Sequence, residues 1–277
     1  MAKTNPRTLS SPSGRRTRRH FAKPHRNPRS TRRSLVYFFS DAHLGLGDPS
    51  TERSKEATIV GFLDHVARNA QALYILGDLF DYWFEYGTVV PKGYVRLLGK
   101  LAQLSDAGIS ISYLTGNHDF WLKSYFTREL NLEVMREPVE RLIGGRRFYL
   151  HHGDGLLRRD VGYRMLKRVL RNPVNMFLFS LLPPDVATAI ARWSSRTSRA
   201  HTSSRTYESD DMTRFARRKI EEGFDFVVMG HNHAPLIRNI AGGIYVNLGD
   251  WIEACTYAVF DGTSLQLKAW HRGGSPG

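Results

Sequence analysis

The sequence contains one cysteine, Cys255, in 277 residues. A single thiol excludes an intramolecular disulfide framework, argues against a structural zinc site built on cysteine, and suits a reducing compartment. Long apolar runs are also missing. None approaches the roughly 18 residues that a membrane-spanning helix needs, so the expectation is a chain that is soluble or lies on a membrane surface. Acidic residues are absent from positions 1–34, which carry eleven Lys or Arg. The other 29 basic residues stand against 26 acidic ones, so the remainder holds a net charge of +3 out of +14 for the whole chain. No internal repeat is evident.

The basic segment scatters Pro6, Pro12, Pro24 and Pro28 among Ser, Thr and Arg, with almost no apolar residues. Such a stretch cannot bury enough surface to offset its ordering entropy, so residues 1–33 are expected to form a disordered tail. Attraction to anionic lipid head groups, loose nucleic-acid binding and a transit peptide are three roles open to it. Its prolines weigh against an amphipathic transit helix, and it has no apolar core of a secretory signal. A plain solvated extension accounts for it equally well.

Beyond the tail, the chain has a repeated grammar. Leu35–Phe39 is a short apolar run ending in Ser40-Asp41-Ala42-His43. Ala72–Leu76 runs into Gly77-Asp78, Ile109–Leu114 into Gly116-Asn117-His118-Asp119, Arg147–Leu150 into His151-His152-Gly153-Asp154, and Phe224–Met229 into Gly230-His231-Asn232-His233. Each run reads as a buried strand that delivers polar residues at its C-terminal end. Helical periodicity lies between the early strands, over Thr58–Asn69 and Val95–Ala107. Alternating strands and helices predict an α/β layered fold, with the site at the strand ends.

Those ends present Asp41, His43, Asp78, Asn117, His152, His231 and His233. One Asp or Asn after a strand is usually a turn former or helix cap, and one His there is usually structural. Seven such residues at five strand ends are not explained as turns. Carboxylate oxygen, amide oxygen and imidazole nitrogen together suit Mn, Fe or Zn better than Ca or Mg.

Asp41-x-His43, Gly77-Asp78-x-x-Asp81, Gly116-Asn117-His118-Asp119, His152-Gly153-Asp154 and Gly230-His231-x-His233 resemble, in order, the five blocks of the calcineurin-like metallophosphoesterases. The resemblance covers nearly all of residues 35–250 and implies a four-layer α/β/β/α sandwich. It also implies two divalent metal ions, most readily Mn, with Asp41, His43 and His233 on one and Asn117, His152 and His231 on the other. Asp78 would bridge them, at a separation of about 3.5–4 Å. A bridging hydroxide would attack phosphorus directly, with Asn117 and His118 as catalytic residues and His118 as hydrogen-bond donor or general acid. Asp81 and Asp119 would orient imidazoles, with helix capping as the alternative.

Within that family, Tyr74–Asp81 followed by Tyr82-Trp83, and Asp160-x-Gly162-Tyr163 after His152-Gly153-Asp154, are similar to the branch that cleaves UDP-2,3-diacylglucosamine in lipid A biosynthesis. So is Ser198–Arg205. The resemblance implies hydrolysis of a nucleotide-linked glycolipid at its pyrophosphate, giving UMP and 2,3-diacylglucosamine 1-phosphate. Substrate contacts would come from Asp160, Tyr163, Ser198, Arg199 and Arg205. His118 departs from this branch, whose best-studied members carry Arg there.

Residues 157–222 are too many for a plain loop. Their helical pattern predicts an inserted cap over the site, leaving residues 34–156 and 223–277 as the core. Met176–Leu182 is apolar, and basic residues including Arg158, Arg164, Arg168, Arg171, Arg192 and Arg196 crowd the insertion. An apolar groove with a basic margin suits a lipid-linked phosphate and an anionic membrane surface, and places the protein in the cytoplasm, peripheral on the inner membrane face. Packing of the cap against the core accounts for many of the same apolar residues. A generic phosphodiesterase or nuclease is the rival enzyme reading, and nucleic acid its partner. A scaffold without chemistry is disfavoured, since every expected ligand type is present. The last strands, Thr256–Phe260 and Leu265–Trp270 around Asp261-Gly262, are expected to complete the second sheet.

Overall fold

The computed structural model describes residues 34–156, 165, 168–191 and 205–271, with side chains in the last stretch from residue 210. The expected tail, 1–33, lies outside the described residues.

Two sheets organise the described chain. In the first, β1 (Leu35–Phe39), β2 (Ala70–Leu76), β3 (Ser110–Leu114) and β4 (Glu133–Met135) run parallel. The hairpin of β10 (Thr256–Phe260) and β11 (Leu265–Ala269) joins the β1 side, giving the order β11-β10-β1-β2-β3-β4. In the second sheet, β5 (Val139–Ile143), β6 (Arg146–Leu150), β7 (Phe226–Met229), β8 (Leu236–Ile240) and β9 (Gly243–Asn247) are ordered β5-β6-β7-β9-β8, with β6, β7 and β9 parallel.

Strand alternation sorts the layers. Tyr37 and Phe39 of β1 face α1 (Pro49–Val66) and α2 (Val95–Asp106), packing with Ile59, Phe62, Leu63 and Leu101. Val36 and Phe38, one residue out of phase, enter the space between the sheets with Phe148, Val228 and Phe260. On the far side of the second sheet, Val227, Met229 and Tyr245 pack against Met212, Ala216 and Ile220 of α5 (Arg205–Glu221). Helix, sheet, sheet and helix make the expected four layers. α5 supplies the outermost one, although the boundary read at residue 222 assigns it to the insertion; the buried stripe of Met212, Ala216 and Ile220 is the physical reason it belongs with the sheet.

Two further expectations are corrected. The C-terminal hairpin completes the first sheet, not the second: Val36 pairs with Phe260 and Phe38 with Ala258. β10 is buried at every position, with Tyr257 and Val259 toward α1 and Ala258 and Phe260 between the sheets, so it fits beside β1, where both faces are covered. α1 starts at Pro49, well before Thr58. The Asp48 carboxylate accepts from the N–H groups of Ser50 (2.9 Å) and Thr51 (3.1 Å), and Pro49 occupies the first turn.

The short α3 (Tyr125–Arg128) precedes β4. Within the insertion, α4 (Pro173–Ser180) is capped by Asn172, and residues 184–191 form a second helical stretch. Phe179 packs against Phe84 and Trp121, with ring centroids 5.1 and 4.7 Å apart. No helix among the described residues is long and apolar enough to cross a membrane.

Phe38 is fully buried between the sheets and stacks on Tyr74 and Phe148. Phe38→Ala is expected to lower stability by about 3–5 kcal/mol, read as a shifted midpoint in chemical denaturation. A loss below about 1 kcal/mol would show that the intersheet layer is not the main core.

Candidate metal centre

The five polar strand ends converge on one edge of the sandwich. Asp41 follows β1, Asp78 follows β2, Asn117 follows β3, His152 follows β6, and His231 and His233 follow β7. Parallel strands in each sheet aim their C-terminal ends the same way, and the two sheets bring their sets together.

The backbone there is strained. Among the described residues, nine non-glycine positions have positive φ, and five of them are Asp41 (54°), His43 (44°), Asp78 (52°), His231 (77°) and His233 (56°). Each such position costs on the order of 1–3 kcal/mol and persists only where its surroundings over-determine it. Here the turns sit tightly against one another. A Cβ on Gly116 would collide with the Asp78 carboxylate, and one on Gly230 with that of Asp41.

Two sets of donors result. In the first, Nε2 of His43 and Nε2 of His233 are 3.2 Å apart, and Asp41 Oδ1 lies 3.8 and 3.5 Å from them. Asp41 Oδ2 accepts from Ser40 Oγ (2.5 Å) and from the His231 N–H (2.9 Å). Asp41 Oδ1 is buried and has no hydrogen-bond partner among the described residues. In the second set, His152 Nε2 lies 2.9 Å from Asn117 Oδ1, and the His152 and His231 ring centroids are 5.1 Å apart. Asp78 stands between the sets: its Oδ2 is 3.6 Å from His43 Nε2 and 3.3 Å from His152 Nε2, while its Oδ1 accepts from the His118 N–H at 2.9 Å.

Groups behind the donors aim them. His152 Nδ1–H donates to the Leu76 carbonyl at 2.8 Å, which turns Nε2 toward the centre. Asp81 Oδ1 lies 3.5 Å from Nδ1 of both His43 and His118. His118 Nδ1–H also donates to the Asp81 carbonyl at 3.2 Å. The buried Lys55 donates to the His43 carbonyl at 2.9 Å. Asp119 takes neither expected role: among the described residues it hydrogen-bonds no imidazole and caps no helix. Its carboxylate accepts from the Leu79 and Gly116 N–H groups, both at 2.8 Å, and from the Tyr113 hydroxyl, and so ties the Asp78 turn to the Asn117 turn. Asp250 was missed as a site residue. Its Oδ2 lies 3.6 Å from His233 Nδ1, and its signal was the Gly249-Asp250 pair after a strand, the same pattern as Gly77-Asp78.

The electrostatics are those of a site made for cations. Burial pushes the Asp41 carboxyl up, and His152 and His233 only partly compensate. Burial also acts to raise Asp78, but the charges of His152, His118 and His43 outweigh it and hold that carboxyl well below its usual range. Burial works to lower His152, yet the Asp78 carboxylate pushes it up to about 10. His231 is driven down to about 3 by desolvation and by His152. Without metal, then, a proton on His152 neutralises Asp78, and His231 presents a bare lone pair. The partnerless Asp41 oxygen, the facing Nε2 atoms and the all-oxygen-and-nitrogen donor set fit divalent cations of the Mn, Fe or Zn type. Asp41, His43, Asp78 and His152 are buried, whereas Asn117, His118, His231 and His233 are half-buried and form the open rim.

All seven expected ligands, and His118, are thus brought together. Of the expected substrate contacts, Asp160, Tyr163, Ser198 and Arg199 lie outside the described residues, as does the Arg205 side chain at the start of α5.

A family profile described as calcineurin-like phosphoesterase matches residues 34–235. The chain is 36% identical over 256 residues to a UDP-2,3-diacylglucosamine hydrolase of Porphyromonas gingivalis, covering 86% of this chain and 98% of that one. It is 32% identical over 243 residues to a protein of the same name from Pseudomonas fluorescens, covering 85% and 95%. An archaeal phosphodiesterase of known structure aligns with a TM-score of 0.43 at 12% identity, over 84% of this chain and 98% of that one.

With His152 at about 10, its proton must leave before Nε2 can bind a metal. Apparent Mn affinity is therefore expected to rise with pH from about 6 to 9, with release of roughly one proton per protein near neutrality. Titration calorimetry in buffers of different ionisation enthalpy measures this; heats independent of buffer would contradict it.

Proposed function

The chain belongs to the calcineurin-like phosphoesterase family, and on that premise we propose that it is a two-metal hydrolase that cleaves the pyrophosphate of UDP-2,3-diacylglucosamine to UMP and 2,3-diacylglucosamine 1-phosphate. The observation that carries the substrate assignment is the likeness to proteins of that name over almost their whole length, 98% and 95%. The inserted segment supports it. Of thirteen exposed large apolar side chains among the described residues, nine fall within 165–190, among them Val174, Phe177, Leu178 and Leu181. Exposed apolar patches of this kind mark lipid, membrane or partner sites. We assign these side chains to the acyl chains and to peripheral contact with an anionic membrane, with Arg168 exposed in the same segment.

Asp41, His43 and His233 would hold one ion, Asn117, His152 and His231 the other, and Asp78 would serve both. Bound there, two divalent ions would supply Lewis-acid polarisation of a phosphoryl oxygen and a nucleophile from water at neutral pH. The residues themselves do the rest. Half-buried Asn117, His118, His231 and His233 are the parts of the cluster that a phosphoryl group could reach. His118 Nδ1–H is held by the Asp81 carbonyl, so a proton for a phosphoryl or leaving oxygen would come from Nε2 of the imidazolium form. Asp81 holds that ring and His43 at one carboxylate oxygen, which keeps a donor and a ligand in fixed relation. Among the described residues the donor set itself contains no serine or cysteine, and the neighbouring Ser40 hydroxyl is engaged by Asp41 Oδ2, in keeping with direct attack by water.

Mn-loaded protein should release UMP rapidly from UDP-2,3-diacylglucosamine and act slowly on bis-p-nitrophenyl phosphate. Cleavage of the generic diester alone would retain the phosphoesterase chemistry and discard the lipid substrate. His118→Ala is expected to lower kcat about 10²–10⁴-fold with metal content unchanged. Undiminished turnover in that variant would remove His118 from the reaction.

A further inference from the structure

Arg171 lies in the inserted segment just before α4, yet its guanidinium reaches the turn that carries Asn117. Its Nη2 donates to the Gly116 carbonyl at 3.3 Å, and its Cζ lies 5.3 Å from the centroid of the Phe120 ring. The neighbouring Leu170 carbonyl accepts from Trp121 Nε1 at 3.4 Å, and Phe179 of α4 packs on the same Trp121. Consecutive residues of the insertion therefore grip both ends of the stretch 116–121. Among the described residues, no other contact of Arg171 accounts for its position: Glu137 is 4.0 Å away and 83% exposed, and Arg171 Nε is buried without a hydrogen-bond partner there. A surface pair of that kind contributes little.

The Gly116 carbonyl is half of the peptide that leads into Asn117. On the other side of this peptide, the Gly116 N–H is held by Asp119, and the next N–H but one, that of His118, is held by Asp78. The turn is pinned from the core at two amides, and the carbonyl between them is pinned only by Arg171 in the described hydrogen bonds. Rotation of that peptide would carry Asn117 Oδ1 away from its place 2.9 Å from His152 Nε2. Arg171, His151, His152 and Asp154 also line one cavity of about 100 Å³, so the guanidinium stands next to the second donor set without belonging to it.

We propose that Arg171 is a positioning residue for that second metal site: a cation of the inserted segment that holds the Gly116–Asn117 peptide and so sets the place of the Asn117 amide oxygen. The inference rests on the two-metal reading above and adds a link between the insertion and the metal centre. A guanidinium so near a metal site could instead oppose cation binding by charge repulsion, and the two roles predict opposite signs.

Titration calorimetry of the full chain with Mn(II) separates them. Arg171→Ala is expected to weaken one of the two ions about tenfold, as loss of an outer hydrogen bond to a ligand does, and to leave the other unchanged. Amide exchange over residues 115–121 of the metal-free protein should quicken in the same variant, and Arg171→Lys, which keeps the charge and one donor, should fall between. Unchanged or tighter binding of both ions in Arg171→Ala overturns the proposal. If that variant does not fold, Arg171→Lys carries the test on the same criterion. Wild-type protein that binds a single ion overturns the two-metal reading and this inference together, whereas two ions in the wild type with unaltered affinities in the variant overturn this inference alone.

Discussion

The structure turns on one buried carboxylate. Asp78 stands at the end of β2 between two sheets, and its two oxygens reach His43 on one side, His152 on the other and the His118 amide behind. Removing a carboxylate from water is costly unless positive charge surrounds it. The cluster supplies that charge through the His152 proton when metal is absent, and a donor set made for cations offers the alternative. The same carboxylate explains why no side chain is tolerated at Gly116: the Asn117 turn must pass directly over it.

Bringing so many donors to one point requires strained backbone, and the fold concentrates that strain where it is useful. Five ligand candidates lie in the left-handed region, a conformation each would avoid in isolation. They are held there by interactions from the rigid layers: Asp119 tying two turns, Asp41 fixing the His231 amide, and the Asp41 carbonyl accepting from the Trp251 N–H at 3.0 Å. Trp251 itself is core, packed on Phe39 and Phe62. The helix-side core of the first sheet is thus joined directly to the ligand turns.

The insertion differs in character. Its inner side reaches the core through a few aromatic contacts and the Leu170–Arg171 grip, while its outer side carries exposed Val174, Phe177, Leu178 and Leu181. A surface of this kind gains little by itself and gains more when apolar matter covers it. In the proposed function that matter is the acyl chains and the membrane, and the grip on residues 116–121 places the lipid-facing element against a ligand turn.

Much of this was legible in the residues alone. The strands that carry ligands are short apolar runs ending in polar pairs; β1, β2, β3 and β7 could be read because strands covered on both faces are largely apolar, and β6 from its apolar Phe148–Leu150 half before His151-His152. The three strands with no such run, β4, β5 and β8, are all sheet edges, where sequences such as Val139–Ile143 alternate with charge. Ligand types and their order were equally plain, since metal chemistry restricts them to a few side chains. Pairing was not. Which sheet receives the C-terminal hairpin, whether α5 caps the site or layers the second sheet, and that Asp119 ties turns while Asp250 faces His233 all depend on contacts between residues far apart in the chain. Local propensity and spacing are silent about them, because they are set by which apolar face finds a partner once the sheets have formed.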